Sequence, residues 1–441
     1  MSIDYLVRFV QVHETFRKPE LEALACLAKI SLEFLFYREC SPFCIIRLHD
    51  EKAAKALISR SVLSKGIYEL WARATTYEEL HSNIKAARSA HWPRYASSSF
   101  RFDIDVYQGS HSASQQRKLI ESFDYLGFEG PILMKQPDQI YSIFEDYDWS
   151  CPVPKQIYFG RWIAGSQRDA INTYSLKSRR YLSTTSMDSE LSLITANLTL
   201  AAPGKLFYDP FVGTGSFLIA SSHFGAVTMG SDIDGRAVRG KDGRNIVTNF
   251  QQYELLEKYL DGFISDLTHC PLKMGRILDG IMCDPPYGVR EGLKVLGTRD
   301  GSGKEAVYIN GEPAHMQDKY IPPKKPYSLE AMLDDILEFA ASTLVDHARL
   351  SLWMPTANDE EIELGAPIHP CLDTISVCVQ PFNKWSRRLL TYQRIPEHEI
   401  KVRSKPKTRT AIEGSKADDL NAFRKRYFQG FKTQGEPERS L

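Results

Sequence analysis

A short motif in the second half of the chain combines an acid, two prolines and an aromatic residue: Asp284-Pro285-Pro286-Tyr287. It follows the apolar run Gly280–Cys283, which is typical of a buried strand. The carboxylate accepts hydrogen bonds, the prolines fix a backbone carbonyl, and the tyrosine ring offers a π face. These groups suit a planar exocyclic amine, whose methylation they favour. The alternative interpretation is a proline turn that only closes a strand.

A second motif has the form of a strand, a glycine turn and a helix. Residues 205–208 are predicted to form a short strand that leads into Asp209, and the turn that follows contains Gly213 and Gly215. A nicotinamide-binding fingerprint would need a third glycine where this chain has Leu218. Asp209 would also repel a pyrophosphate, whereas it suits a cationic ligand such as S-adenosylmethionine. The glycines would let the backbone approach that ligand closely.

Acids also follow the next predicted strands. Asp232 is placed to accept from ribose hydroxyls, Ile233 would cover one adenine face, and Asp234 is interpreted as a helix N-cap. The acids at the ends of four successive strands are Asp209, Asp232, Asp266 and Asp284. Any one of them could be a solvated turn or a helix cap. Their ordered series at βαβ spacing favours a ligand site.

In their order along the chain, these motifs resemble the nucleotide-binding and catalytic motifs of class I amino-methyltransferases. Thr185-Ser186-Met187-Asp188 is similar to the motif of that group that borders the methionine end of the cofactor. Together with the segment ahead of it, the chain most closely resembles the catalytic subunits of eukaryotic tRNA (guanine-N2) methyltransferases that act at position ten. This resemblance covers residue 1 to about residue 395.

The resemblance implies S-adenosylmethionine as cofactor and assigns residues to roles. The catalytic residues would be Asp284, Pro285, Pro286 and Tyr287. The cofactor-binding residues would be Thr185, Ser186, Asp209, Phe211, Gly213, Gly215, Asp232, Ile233 and Asp266. No metal is required in this chain. The implied partners are tRNA and a small zinc-binding activator subunit in a heterodimer.

The predicted fold class is α/β, with two α+β modules ahead of a Rossmann-like methyltransferase domain. The predicted domains are a ferredoxin-like module at 1–45, a THUMP-like RNA-binding domain at 46–150, the methyltransferase domain at 151–395 and a basic flexible tail at 396–441. The methyltransferase sheet is expected to have about seven mostly parallel strands, with the last two antiparallel. A dimerisation or spacer domain is the alternative interpretation of the THUMP-like segment.

Three basic or irregular segments have two interpretations each. Lys177, Arg179 and Arg180 would contact phosphates of the substrate, or they form a solvated helix face. The insertion at 290–327 is either disordered or a substrate lid. The tail, with five basic residues between Lys401 and Arg409, assists RNA binding or only solvates the chain.

Composition limits the function classes. The 441 residues include 55 basic and 55 acidic side chains, so RNA would be bound by local patches. The eight cysteines include no Cys-x-x-Cys pair, which argues against zinc and predicts reduced thiols in the cytoplasm. No membrane segment is predicted. The competing functions are a DNA or ribosomal RNA amino-methyltransferase and a catalytically inactive RNA-binding protein.

Overall fold

The computed structural model describes residues 2–86, 92–273, 275–297, 308–317, 320–357, 365–402 and 419–430. Residues 403–418 and 431–441 of the predicted basic tail lie outside these ranges. The chain divides into two compact units, of which the first comprises Met1–Arg17 with Leu24–Arg168 and the second Lys18–Ala23 with Asp169–Leu441. Within the described residues, no helix is long and apolar enough to cross a bilayer.

The first 168 residues contain a seven-stranded sheet. Its strands are β1 (Ile3–Phe9), β2 (Glu33–Phe36), β3 (Phe43–Leu48), β4 (Ser64–Ala74), β5 (Phe100–Tyr107), β6 (Gln139–Asp146) and β7 (Gln156–Gly165). The helices are α1 (Arg17–Ala28), α2 (Glu51–Ile58), α3 (Tyr77–Ala86) and α4 (Ala113–Glu121). The strand order is β2-β3-β1-β4-β7-β6-β5, with only β5 and β6 parallel.

This single sheet differs from the predicted boundaries at residues 45 and 150. Strands from both predicted N-terminal modules pair with each other, and β7, which was expected to start the methyltransferase domain, lies between β4 and β6. Ile157, Tyr158 and Phe159 are consecutive and buried, as expected for a strand inside a sheet. The apolar run at 157–159 therefore predicts a strand. The sheet to which this strand belongs depends on its pairing with residues that are distant in the chain.

The second unit contains a doubly wound sheet. Its strands are β8 (Leu206–Asp209), β9 (Val227–Asp232), β10 (Tyr259–Ile264), β11 (Leu278–Cys283), β16 (Leu344–Ala357), β17 (Leu372–Pro381) and β18 (Trp385–Arg394). The intervening short strands are β12 (Lys294–Leu296), β13 (Tyr308–Ile309), β14 (Glu312–Pro313) and β15 (Lys324–Pro326). The helices are α5 (Ala170–Thr173), α6 (Ser189–Leu198), α7 (Ser216–His223), α8 (Gly235–Arg239), α9 (Ile246–Gln252), α10 (Leu329–Thr343) and α11 (Ala422–Gln429).

The strand order of the second sheet is β10-β9-β8-β11-β16-β18-β17. Strands β8, β9, β10, β11 and β16 are mutually parallel, while β18 runs antiparallel to both β16 and β17. The predicted seven-stranded, mostly parallel sheet with an antiparallel last pair is therefore confirmed. The chain order reverses between β8 and β11, and open α/β sheets bind ligands at the carboxyl ends of strands beside such a reversal.

The insertion at 290–327 forms a small ladder where the structure describes it. β12 pairs antiparallel with β15, and the Tyr327 amide donates to the Leu293 carbonyl at 3.0 Å. Leu293 and Val295 are buried in the core of the second unit together with Leu333 of α10. The described ends of the insertion are thus packed against the domain, while residues 298–307 and 318–319 lie outside the described part.

Candidate active site

Three strands bring acids to the carboxyl edge of the second sheet. Asp209 ends β8, Asp232 ends β9, and Asp284 directly follows β11. Because β8 lies between β9 and β11 and the three strands are parallel, the carboxylates share one edge. The pKa of each is raised, mainly because burial penalises the charged form. Such a cluster is suited to a cation or to several hydrogen-bond donors.

Asp284 lies between a hydroxyl and a guanidinium. The Tyr287 hydroxyl donates to Oδ1, and Nη1 of Arg387 is 3.7 Å from Oδ2. Burial raises the pKa of Asp284 to about 6, although the Arg387 charge and the Tyr287 bond oppose this rise. The Asp284 side chain remains 21% exposed, so a donor on a substrate can still reach it.

Tyr287 is held from two directions. Its ring packs against the core of the second unit while its hydroxyl faces Asp284. From the start of α11, Asn421 Nδ2 donates to the Tyr287 carbonyl at 2.8 Å, and Arg424 donates to the Gly288 carbonyl. A hydrogen bond to the Asp284 carboxylate therefore orients the Tyr287 ring, which was predicted to stack on a base. The sequence did not indicate this hydrogen bond.

The glycine turn after β8 has the backbone geometry that the motif requires. Gly213 and Gly215 have φ values of 49° and 82°, where a side chain would be strained. Asp209 Oδ1 accepts from the Phe211 amide at 2.9 Å, and the Asp209 side chain is buried. Its pKa is raised well above the ordinary value by burial and then by the charges of Asp232 and Asp284. A cation beside Asp209 would favour its ionised form.

Asp232 connects the glycine turn to the next helix. Its Oδ2 accepts from the Gly213 amide at 3.0 Å and its Oδ1 from the Asp234 amide at 2.8 Å. Burial raises its pKa to about 6, against the effect of these two bonds. Each carboxylate oxygen has further acceptor capacity for ribose hydroxyls. Asp234 caps α8, as predicted, and the Ile233 carbonyl accepts from Lys324 Nζ at 2.7 Å.

Thr185 and Ser186 lie against two other predicted motifs. Ser186 Oγ is 2.7 Å from Thr214 Oγ1 in the glycine turn. The Thr185 hydroxyl donates to Glu291 Oε1 at 3.2 Å, seven residues after Asp284. The structure therefore brings together three segments that are more than 25 residues apart in sequence, with separations of 28 and 106 positions for these contacts.

Asp266 has contacts that differ from the predicted cofactor contact. Its Oδ1 accepts from the Thr268 amide at 3.1 Å, and its Oδ2 accepts from the Thr268 hydroxyl at 2.9 Å and the Leu296 amide at 2.8 Å. Asp266 is buried. In this structure it fastens β12 of the insertion to the end of β10. The strand-end position was predictable, but the insertion that uses it was not.

The basic cluster separates into exposed and buried members. Lys177 and Arg180 are exposed, as contact with phosphates would require. Arg179 is buried, donates from Nη1 to Ser216 Oγ at 2.6 Å and from Nη2 to the Tyr174 carbonyl at 3.1 Å. These bonds support the start of α7, so the prediction that Arg179 contacts phosphates does not fit this structure. Adjacent basic residues in sequence do not share one surface here.

Sequence reasoning missed Arg387, Asn421 and Arg424, all of which contact the Asp284–Gly288 segment. The position of Arg387 follows from the strand register, in which Arg387 pairs with Pro355 at the carboxyl end of β16. Asn421 and Arg424 belong to the segment interpreted as a tail. No motif in the sequence links these residues to Asp284.

Two family models match successive parts of the chain. A family model described as the Tmrp11 THUMP N-terminal domain matches residues 3–168, and one described as the RMKL-like methyltransferase domain matches residues 177–296. Among solved structures, TrmN from Thermus thermophilus is 16% identical, with a TM-score of 0.43, and the match covers 89% of this chain and 100% of that one.

Two curated relatives match almost the whole chain. The tRNA (guanine(10)-N(2))-methyltransferase of Saccharomyces cerevisiae is 44% identical over 439 residues, which cover 97% of this chain and 99% of the relative. The protein of the same name from Schizosaccharomyces pombe is 37% identical over 97% of this chain and 96% of its own. With this identity over nearly the full length, and with both family domains present, the chain belongs to the tRNA (guanine(10)-N(2))-methyltransferase family.

Proposed function

We propose that this protein transfers the methyl group of S-adenosylmethionine to the exocyclic N2 amine of guanosine 10 in tRNA. The observation that carries the proposal is the placement of Asp284 and its Pro-Pro-Tyr sequence at the carboxyl end of β11, beside the chain reversal. The names of the relatives supply the substrate and the position of the base.

The buried acids fit the charges and hydroxyls of S-adenosylmethionine. Asp209 would face the cationic amino and sulfonium groups, Asp232 would accept from the ribose hydroxyls, and Ile233 would cover the adenine. At Gly213 an added Cβ would meet only the Phe211 carbonyl oxygen, at 3.9 Å, so a ligand can approach the backbone there closely, whereas at Gly215 it would meet Ile246 Cγ2 at 3.1 Å. When bound, the cofactor would supply an electrophilic methyl group and leave as S-adenosylhomocysteine, while the methylated amine would release one proton to solvent. Every other part of the proposed reaction belongs to the protein and the base.

The target nitrogen is a weak nucleophile because its lone pair is delocalised into the guanine ring. The Asp284 carboxylate and the Pro285 carbonyl would each accept one amine hydrogen, which favours a tetrahedral nitrogen whose lone pair points at the methyl group. Pro285 and Pro286 fix the carbonyl. The Tyr287 ring would pack on the extruded base, with its orientation set by the bond to Asp284.

Binding of tRNA is proposed to involve the THUMP-like first unit and the exposed Lys177 and Arg180 of the second. All eight cysteines lie in the described part of the chain and are free thiols, which fits the proposed cytoplasmic location.

We expect methyl incorporation from radiolabelled S-adenosylmethionine into tRNA, but not into duplex DNA or ribosomal RNA fragments. The matched substrate control is a tRNA in which guanosine 10 is replaced by adenosine, and this tRNA should remain unmethylated. Incorporation into DNA or ribosomal RNA alone would favour the competing amino-methyltransferase function. Binding of tRNA without any transfer, with or without an added activator subunit, would favour the inactive RNA-binding protein.

We also propose that the small zinc-binding activator subunit docks on the β10 edge of the second sheet. Leu260 and Ile264 of β10 are 62% and 47% exposed, and Leu256 just before the strand is 43% exposed. In the described part of the chain β10 pairs only with β9, so its outer side presents backbone groups that a strand of the partner could bind. A partner there would cover the three aliphatic side chains.

The double substitution Leu260→Glu with Ile264→Glu should therefore abolish heterodimer formation, because it places two charges in an apolar interface. Calorimetric titration with the purified subunit measures this effect. Val377→Glu is the matched control, since Val377 is 43% exposed on β17 at the opposite edge of the same sheet. Loss of the complex in Val377→Glu, with normal affinity in the double variant, would place the subunit on the other edge.

A further inference from the structure

Arg387 is held in place by one amide side chain and two aromatic rings. Its Nε and Nη2 donate to Gln380 Oε1 at 3.0 and 2.7 Å. The guanidinium carbon lies 5.0 Å from the centroid of the Trp353 ring and 5.7 Å from that of Phe382. Its side chain is 16% exposed. Because two aromatic rings and one amide already restrict the guanidinium, it loses little conformational freedom when its remaining nitrogen, Nη1, makes a further contact.

The remaining nitrogen, Nη1, faces the Asp284–Tyr287 motif. Nη1 is 3.7 Å from Asp284 Oδ2 and 3.6 Å from Met187 Sδ, which adjoins the Thr185-Ser186 pair. The antiparallel direction of β18 explains this position, because its first residues lie at the edge where β11 and β16 end. At 3.7 Å the pair is an ion pair without a full hydrogen bond, so Oδ2 keeps lone pairs for a donor on the substrate.

The groups that face Asp284 differ in sign. They are the Tyr287 hydroxyl and the Glu291 carboxylate of its own loop, the Cys283 thiol of β11, the Asp209 carboxylate of β8 and the Arg387 guanidinium of β18. Burial and the Glu291 charge raise the pKa of Asp284 and so oppose its ionisation, whereas the Arg387 charge and the tyrosine bond lower that pKa and favour ionisation. A carboxyl group that must accept a hydrogen bond from an amine acts best when it is ionised.

We propose that Arg387 is a positioning residue for methyl transfer, which keeps the Asp284 carboxylate ionised and oriented so that it accepts from the exocyclic amine. This proposal rests on the proposed function and adds a residue to its site. Arg387 itself need not touch the base. Its effect would be exerted through the charge and orientation of Asp284.

The sign of the pH effect follows from this arrangement. With the pKa of Asp284 at about 6, the rate of methyl transfer should rise with pH through that value, as Asp284 loses its proton. Removal of the neighbouring cation raises the pKa of Asp284 further, so the rising limb should move to higher pH. The rate lost at low pH should then be regained at high pH.

The test compares Arg387→Gln and Arg387→Lys with the wild type, as full-length chains in complex with the activator subunit. Single-turnover transfer to tRNA is measured at saturating cofactor and tRNA from about pH 5.5 to about pH 9. We expect the rising limb of the pH–rate profile to move to higher pH by about one pH unit in Arg387→Gln. The movement should be smaller in Arg387→Lys, which keeps the positive charge. Arg388→Gln is the matched control, because successive side chains of a strand point to opposite faces, and its limb should match the wild type.

Two outcomes would overturn the inference. One is a rate that falls by the same factor at every pH in both Arg387 variants, which indicates a purely structural role. The other is an equal shift in Arg388→Gln, which indicates a general loss of positive charge. Absence of transfer by the wild type at every pH would instead contradict the proposed function itself, so the two failures can be distinguished.

Discussion

Replacement of Asp284 by alanine or asparagine should lower the rate of methyl transfer by about 10²- to 10³-fold. Both variants remove the charged acceptor for the exocyclic amine, and asparagine does so with little change in shape. Affinity for S-adenosylmethionine should stay within a few-fold, because Asp284 lies at the end of β11, whereas the proposed cofactor contacts come from β8 and β9. Single-turnover kinetics and calorimetric titration measure the two quantities separately.

The matched control for this prediction is Asp373→Asn, an exposed aspartate of β17, which should leave both quantities unchanged. Asp284 also accepts from the Tyr287 hydroxyl, so a cooperative melt must show that each variant is folded. Cofactor affinity that falls as much as the rate would contradict the assignment of Asp284 to the amine.

Replacement of Asp232 by alanine should have the opposite pattern. Loss of a charged acceptor for the ribose hydroxyls costs about 1.5–3 kcal/mol, or about ten- to 150-fold in affinity for S-adenosylmethionine. The effect includes the turn itself, because Asp232 also accepts from the Gly213 amide. At saturating cofactor the rate of transfer should fall much less than in the Asp284 variants.

Asp234→Asn provides a close control for Asp232, because Asp234 is two residues away but caps α8 and bonds to Arg236. Its affinity for the cofactor should remain within a few-fold of the wild type. Unchanged calorimetric affinity in Asp232→Ala would remove Asp232 from the proposed cofactor site.

Much of the second unit could be predicted, because its strands and its glycine turn depend on residues that are adjacent in the sequence. An apolar run that ends in an acid predicts both a buried strand and the edge at which its acid lies, as for β11 and Asp284. The glycine turn likewise needs only its own residues, since Gly213 and Gly215 have the positive φ angles that glycine favours.

The remaining features depend on partners that are distant in the chain. Asp266 is predicted to contact the cofactor, and in this structure it also accepts a hydrogen bond from the Leu296 amide of the insertion, 30 positions away, which the sequence did not indicate. The bond of Arg179 to Ser216 spans 37 positions and buries a charge that the sequence places in a basic cluster. The ion pair of Arg387 with Asp284 likewise depends on the antiparallel register of β18. Composition and periodicity contain no signal for such pairings.

The most direct test of the central claim is to locate the transferred methyl group. Wild-type protein, with and without the proposed activator subunit, would react with unmodified tRNA and isotopically labelled S-adenosylmethionine, followed by nuclease mapping and mass spectrometry of the nucleosides. The account predicts label in N2-methylated guanosine at position 10, and an initial rate of labelling about 10²- to 10³-fold lower with Asp284→Asn under the same conditions. Label on a ring nitrogen, on another base or at another position would contradict it, and so would undiminished labelling by Asp284→Asn.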